Sequence, residues 1–177
     1  MKLEHAKQLA DQLLDELAPA CERIEIAGGI RRQKPECHDI ELVAIPKLMT
    51  SLDIFGEVAG QRNMLNEFIG ANGYVCEKNG DRYKKIIYTP EINCDLFIVL
   101  KPAQWGVIFV IRTGSAEFSK RIVTQRKYGG SLPSDCKVKD GGVYNSAGQL
   151  IPMSEEMEFL NFLGLGWIEP SKRKVMP

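Results

Sequence analysis

The sequence predicts an α+β protein with a larger lobe to about residue 112 and a smaller mixed lobe after it. Apolar residues recur every three or four positions in several segments, as in amphipathic helices. Other short segments alternate polar with apolar residues and are bounded by glycine, proline or asparagine, as strands are. No linker separates the two parts, so we expect the lobes to pack closely.

The first lobe is predicted to begin with a helix and to continue mainly with strands. Leucine and alanine at helical spacing predict a helix over 3–18, which Pro19 ends. Residues 51–70 are also predicted to be helical, although Gly56 and Gly60 weaken the pattern. Strands are predicted over 23–26, 39–45, 74–77, 83–89 and 92–100.

The chain around and after residue 112 is predicted to be mostly helical. Pro102 favours a helix start and predicts a helix over about 102–111. Another helix is predicted after Thr113-Gly114-Ser115, to about residue 128. Short strands are expected around Val138 and Val143, and a last helix runs from near Ser154 to Gly164.

Composition limits the possible cofactors and locations. Apolar residues make up 44% and charged residues 26% with no net charge, which is ordinary for a folded domain in water. No apolar run approaches the ~20 residues that cross a bilayer, so we expect no membrane contact and a cytoplasmic location. The five cysteines are scattered without a Cys-x-x-Cys pair, and there are only two histidines. Any metal must therefore be bound by oxygen ligands.

The middle of the chain is locally basic. Between residues 101 and 139, eight lysines and arginines accompany only Glu117 and Asp135. Such a stretch is either a solvated surface or a contact for a phosphate backbone.

Three acidic residues form the predicted chemical centre. Asp39 and Glu41 are two apart in a predicted strand and should project to the same side, which is also what an ordinary half-buried strand does. Asp95 lies within the most apolar strand of the chain, where an unpaired carboxylate would be costly. A cation shared by the three acids would remove that cost, and carboxylate oxygens suit Mg²⁺ or Mn²⁺.

A glycine turn and two arginines precede the acids. Gly28-Gly29 lets backbone N–H groups approach a phosphate, and the guanidiniums of Arg31 and Arg32 can each bind two phosphate oxygens. Neither feature is specific alone. Gly29 lies ten residues before Asp39, and the combination of the turn, the arginines and the acids at this spacing is a more specific signal for phosphate binding.

This combination resembles the signature of the polymerase-beta-like nucleotidyltransferases, and more closely that of the DNA polymerase X family. Members carry a glycine turn followed by two arginines, then an acid-x-acid strand, a third aspartate and a Thr-Gly-Ser helix start. The matching segments here are 28–32, 38–41, Asp95 and 113–115, and the ending over 162–173 is similar to the end of the family's thumb. The resemblance spans essentially the whole chain, without the family's lyase and fingers modules.

The resemblance implies a mixed-sheet palm over 1–112, a thumb-like DNA- and nucleotide-binding subdomain over 113–177, and a monomer. It implies DNA-directed DNA synthesis on primer-template or gapped DNA with dNTPs, in short-gap repair. Two Mg²⁺ ions, for which Mn²⁺ can substitute, would be bound by the catalytic acids Asp39, Glu41 and Asp95. Residues implied for nucleotide binding are Gly28, Gly29, Arg32, His38, Thr113, Gly114, Ser115 and Ser119.

Four features of the sequence depart from the family pattern. Glu41 replaces the second aspartate, His38 the glycine before the first one, and Gly29 the serine of the phosphate turn. Ile111-Arg112 replaces the aromatic pair before Thr-Gly-Ser, where an aromatic ring crowds the 2′-position of the sugar. The positions that match the family's contacts with the sugar and the nascent base pair are Ile111, Ala116, Ser119 and Val123, and only Ser119 can hydrogen-bond a base. We therefore expect low fidelity and weak exclusion of ribonucleotides.

Two other functions are compatible with the sequence. One is a minimal nucleotidyltransferase that modifies RNA, protein or a small molecule, against which the thumb-like ending argues. The other is a catalytically inactive protein that binds DNA ends, against which the presence of all three acids argues. Primer extension with and without template distinguishes the three.

Overall fold

The computed structural model describes residues 1–174, and within them the chain forms a mixed α+β fold. Its α-helices lie at Leu3–Leu17 (α1), Gly28–Arg31 (α2), Met64–Ala71 (α3), Trp105–Thr113 (α4), Ala116–Val123 (α5) and Glu156–Phe162 (α6). Its strands lie at Cys21–Ile26 (β1), Asp39–Pro46 (β2), Leu48–Leu52 (β3), Val58–Asn63 (β4), Cys76–Asn79 (β5), Tyr83–Thr89 (β6), Ile92–Ile98 (β7), Lys137–Lys139 (β8), Gly142–Tyr144 (β9) and Leu150–Ile151 (β10). The predicted α+β class is confirmed. No helix within 1–174 is both long and apolar enough to cross a membrane.

A five-stranded mixed sheet in the order β1-β2-β7-β6-β5 is the frame of the first lobe. Strands β2 and β7 are parallel, and the other pairs are antiparallel. The parallel pair needs a long connection, and residues 47–91 supply it. This connection is what brings Asp95 beside residues that precede it by more than fifty positions.

The two faces of the sheet are covered differently. Ile40, Leu42 and Leu96 are fully buried on one face, in the core that α1 and α3 share with the sheet. Val43 and Phe97 point to the other face, where they pack with Trp105 and Phe109 of α4. Because side chains alternate along a strand, Asp39, Glu41 and Asp95 lie on this second face.

The second lobe has its own core. Strands β10, β9 and β8 form a small antiparallel sheet beside α5 and α6. Its core is made by the buried residues Val107, Val110, Phe118, Ile122, Leu132, Val143, Met153, Phe159 and Leu160. Helix α4 contributes to this core and to the core under the sheet, so one helix holds both lobes together. The predicted boundary at 112 falls in its last turn, and residues 175–177 of the predicted second lobe lie outside the described part.

The predicted helix over 51–70 is wrong in its first half. Residues 48–63 form the hairpin of β3 and β4, and only Met64–Ala71 is helical. Gly56 has a positive φ of 82°, and the Asp53 carboxylate accepts hydrogen bonds from the N–H groups of Phe55 and Glu57. These bonds close a turn that competes with a helix.

Most other predicted elements are confirmed within one to three residues. Helix α1 and strands β1, β2, β6 and β7 lie where the sequence places them. Three differences are local. The Gly28-Gly29 turn is the first turn of the short helix α2, the helix after Ser115 ends at Val123, and β10 has no predicted counterpart.

Candidate active site

Neighbouring strands of the sheet carry the three predicted acids. Glu41 of β2 pairs in register with Asp95 of the parallel strand β7. Asp39 lies two residues before Glu41, so its side chain has the same direction. All three residues are half-buried, and Asp95 lines a cavity between the two lobes.

The electrostatic surroundings of Glu41 differ from those of an ordinary surface glutamate. Burial and, less strongly, the charges of Asp39 and Asp95 together raise the pKa of Glu41 to about 7, against the opposing effects of Arg32 and the Gly29 N–H group. The Gly29 N–H group donates to Glu41 Oε2 at 3.3 Å. Burial and the neighbouring carboxylates therefore outweigh the nearby positive groups at Glu41.

Gly28 leaves the space that Glu41 occupies. A β-carbon at residue 28 would lie 1.6 Å from Glu41 Oε2, and Gly28 has a positive φ of 59°. Both facts require glycine here, one for space and one for backbone conformation. The first glycine of the predicted phosphate turn thus allows a carboxylate to lie directly against the backbone.

Arg32 connects this turn to the second lobe. Its guanidinium is buried, and Nη1 donates to the carbonyl oxygens of Thr113 and Gly114, the latter at 2.8 Å. The structure therefore places Arg32, Thr113 and Gly114 together. The positive charge of Arg32 remains close enough to Glu41 to lower its pKa.

A buried ion network lies next to Arg32. Arg31 donates to Glu156 of α6 at 2.8 and 2.6 Å and to Thr113 Oγ1 at 2.9 Å. Arg173, which has no exposed surface, also donates to Glu156. Although burial raises it, these hydrogen bonds hold the pKa of Glu156 below its usual value. The network holds α2, α4 and α6 in one arrangement.

The remaining predicted nucleotide-binding residues are Ser115 and Ser119, at the start of α5 and within it, and His38, before β2. Ser115 caps α5 by accepting a hydrogen bond from the Phe118 N–H group at 3.2 Å. The Ser119 hydroxyl donates to the Ile111 carbonyl at 2.6 Å, which leaves its oxygen as an acceptor. His38 is exposed immediately before β2.

Two further side chains surround Asp95. The Tyr83 hydroxyl donates to Asp95 Oδ1 at 2.7 Å, and burial followed by this bond raises the pKa of Tyr83 to about 12. The Tyr83 ring stacks on Phe97 at 5.3 Å between centroids, and the Arg112 guanidinium lies 3.9 Å from the Phe97 centroid. Desolvation lowers the pKa of Arg112, while the charges of Glu41 and Asp95 oppose that effect.

A cavity of about 680 Å³ opens beside Asp95. Its walls come from β5, β6 and β7 on one side and from α4 and the turn between β8 and β9 on the other. The polar and charged lining residues are Lys78, Arg82, Tyr83, Asp95, Gln104, Arg112 and Asp140. This volume lies within the range of small-ligand sites in proteins.

The donor set of the acids fits a hard divalent cation. Within residues 1–174, no three His, Cys, Asp or Glu side chains lie close enough together to coordinate one metal ion. Asp39, Glu41 and Asp95 nevertheless offer only carboxylate oxygens on one sheet face, which is the ligand chemistry of Mg²⁺.

Sequence reasoning did not identify Tyr83 or the partners of Arg31. Tyr83 could have been found from strand alternation, because it lies on the same face of β6 as Lys85, which pairs with Asp95. Glu156 and Arg173 gave no such signal, since they are more than 120 residues from Arg31.

Comparison with protein-family models gave no match, and neither did a search of the curated proteins.

Proposed function

We propose that the protein is a nucleotidyltransferase of the DNA polymerase X type, which transfers dNMP from a dNTP to the 3′-hydroxyl of a DNA primer. One observation carries the proposal. Glu41 and Asp95 are paired in register on adjacent parallel strands, with Asp39 on the same face, at the cleft between two lobes. In this proposal residues 1–112 are the palm, residues 113–177 the thumb, and the reaction serves short-gap repair with low fidelity.

Magnesium ions bound by Asp39, Glu41 and Asp95 would lower the pKa of the primer hydroxyl and neutralise charge on the transferring phosphoryl group. The role of Asp95 in the proposal is also to accept the proton of the primer hydroxyl. Its Oδ1 is bonded to Tyr83, so that Oδ2 is the atom for this task. Tyr83 keeps its own proton, because its pKa is about 12, and acts as a positioning residue.

The glycine turn and Arg32 would act on the triphosphate. The Gly29 N–H group is already directed at an anion, since it donates to the Glu41 carboxylate at 3.3 Å. Arg32 adds a fixed positive charge next to the acids while its Nη1 holds the Thr113-Gly114 turn of the second lobe. A preorganised charge of this kind stabilises a transition state better than a mobile one. Arg32 would therefore position the second lobe and attract phosphate at once.

Primer extension tests the proposal directly. Wild-type protein with Mg²⁺ or Mn²⁺ and all four dNTPs should extend a recessed primer, and should do so according to the template. Transfer to RNA, protein or a small molecule without DNA extension would favour the alternative transferase, and DNA binding without any transfer would favour an inactive end-binding protein.

The acid Asp95 supplies the sharper test. Asp95→Asn removes a carboxylate without removing volume, so incorporation should fall by at least ~10³-fold while the fold is kept. Asp15→Asn, an exposed change on α1, is the matched control and should extend primers at the wild-type rate. An Asp95→Asn protein as active as this control would rule out the proposed site.

A further inference from the structure

The cavity beside Asp95 has a basic rim at the edge of the sheet. Lys78 lies on β5 and Arg82 immediately before β6, and both side chains are exposed. The Lys78 ammonium group lies 5.8 Å from the centroid of the Tyr83 ring, which itself contacts Asp95. Two cations next to an aromatic ring and a catalytic carboxylate form a suitable surface for a phosphodiester strand that ends at Asp95.

One acidic side chain of the second lobe already lies on this rim. Asp140 belongs to the turn between β8 and β9, and its Oδ1 lies 3.2 Å from Nη1 of Arg82. Both side chains remain more than half exposed, at 56% for Arg82 and 52% for Asp140. The pair is thus accessible to solvent and to any competing anion.

The backbone holds Asp140 in this place. Asp140 has a positive φ of 51°, followed by Gly141 with 78°, which are values of a tight hairpin turn. A β-carbon on Gly141 would lie 2.5 Å from Ile108 Cδ1, so the turn is seated closely on α4. The carboxylate is therefore presented by a rigid turn rather than by a mobile loop.

The contact lies apart from the other polar contacts between the lobes, which include an exposed ion pair of Arg23 in β1 with Glu155. Arg31 and Arg32 hold the second lobe through buried bonds near the β1–β2 edge of the sheet. Arg82 and Asp140 meet at the opposite, β5–β6 side, through a single exposed ion pair. Exposed pairs contribute little to folding stability, so this one can exchange its partner without disturbing the fold.

We propose that Asp140 is a built-in anionic competitor for a phosphodiester site formed by Lys78 and Arg82. A guanidinium binds carboxylate and phosphate oxygens with the same geometry, so a strand phosphate can replace the Asp140 carboxylate on Arg82. The free protein then has its strand site occupied by its own side chain, and strands with few phosphate contacts are excluded. The inference rests on the proposed action on DNA.

Binding of DNA with a recessed 3′-end, measured by fluorescence anisotropy without dNTPs, tests this competition. Asp140→Asn suits the experiment because asparagine tolerates a positive φ. We expect it to tighten DNA binding about two- to fivefold at low salt, which is the range of an exposed ion pair. In an Arg82→Gln background, which itself weakens binding, Asp140→Asn should have no effect on affinity.

A matched control separates competition from general repulsion. Asp81→Asn removes the same charge next to Arg82, where no ion pair with that arginine is present among residues 1–174. It should change affinity by less than half as much as Asp140→Asn, on a logarithmic scale. Equal effects of the two changes, or the same gain from Asp140→Asn in the Arg82→Gln background, would overturn the proposal.

The outcomes also distinguish this proposal from the proposed function. Wild-type protein that binds no DNA at low salt would contradict both. Wild-type protein that binds and extends DNA, with an affinity that Asp140→Asn leaves unchanged, would overturn the competition alone.

Discussion

Replacement of Glu41 by glutamine should make the metal-free protein more stable at pH 8 but have much less effect at pH 5. The pKa of Glu41 is raised to about 7 from its usual 4.5, by burial and by the charge of Asp39. Glutamine keeps the shape of the side chain and removes the charge. The change therefore isolates the cost of an ionised carboxylate at this position.

The sign follows from proton linkage. The folded protein holds the Glu41 proton more tightly than the unfolded chain, so protonation stabilises the fold. This stabilisation is fully present below pH 4.5 and is lost as the pH rises through about 7. At about 1.4 kcal/mol per pH unit, the difference between the two pKa values corresponds to roughly 3 kcal/mol. Most of this change, roughly 2–3 kcal/mol, falls between pH 5 and pH 8.

Urea unfolding at pH 5 and pH 8 in EDTA measures this effect. The difference in unfolding free energy between Glu41→Gln and wild type should be roughly 2–3 kcal/mol larger at pH 8 than at pH 5. Glu22→Gln, at an exposed position of β1, is the control. Its unfolding free energy should differ from that of wild type by the same amount at pH 5 and at pH 8. Mg²⁺ at pH 8 should stabilise wild type more than Glu41→Gln, because binding to a site of ionised carboxylates is linked to folding.

A difference between Glu41→Gln and wild type that changes by less than about 0.5 kcal/mol from pH 5 to pH 8 would refute the reasoning. It would mean that burial and the neighbouring carboxylates do not raise the pKa of Glu41. The assignment of the three acids as one site would then lose its electrostatic support.

Three other perturbations test the network, the basic surface and the selectivity. Glu156→Ala leaves buried Arg173 without its carboxylate and should lower the unfolding free energy by about 3–5 kcal/mol in urea, whereas Glu67→Ala, in an exposed pair, should lower it far less. Equal losses for the two variants would show that the network does not hold the lobes. DNA affinity should fall steeply with salt, by a log-log slope that each removed phosphate contact reduces by about one. The basic surface is tested by replacing four residues with alanine: Lys120, Arg121, Arg126 and Lys127. A salt slope that these four substitutions leave unchanged would show that the basic surface is solvated and does not contact phosphates. Steady-state incorporation kinetics should show weak discrimination against mismatched dNTPs and against rNTPs, since only Ser119, of the positions that the resemblance places beside the nascent base pair, can hydrogen-bond a base. Discrimination of ~10,000-fold or more would show that these positions do not set selectivity.

Strand alternation and helical spacing were sufficient to predict where much of the first lobe forms. Asp39, Ile40, Glu41 and Leu42 alternate between cleft and core because successive side chains of a strand point to opposite faces. The same rule places Asp95 on the cleft face of an otherwise buried strand. These properties are local, so the order of residues is enough to predict them.

The hairpin over 48–63 could not be predicted from the spacing of its apolar residues. Its apolar residues repeat as in a helix, but Leu52, Ile54 and Phe55 are exposed, at 61%, 93% and 83%. Helices in proteins are stabilised mainly by packing of their apolar face against the rest of the protein. Because these side chains are exposed, no such packing stabilises a helix here. The Asp53 turn and the positive φ of Gly56 then determine the local conformation.

The sequence by itself determined the strand faces, the three acids and the glycine that must precede them. Only the tertiary structure decided which partners these groups have. Tyr83 reaches Asp95 because β6 pairs with β7, and Arg31 reaches Glu156 although 125 positions separate them. Such contacts depend on how strands and lobes pack across the whole chain, and nothing in the residues next to Arg31 or Glu156 specifies the other partner.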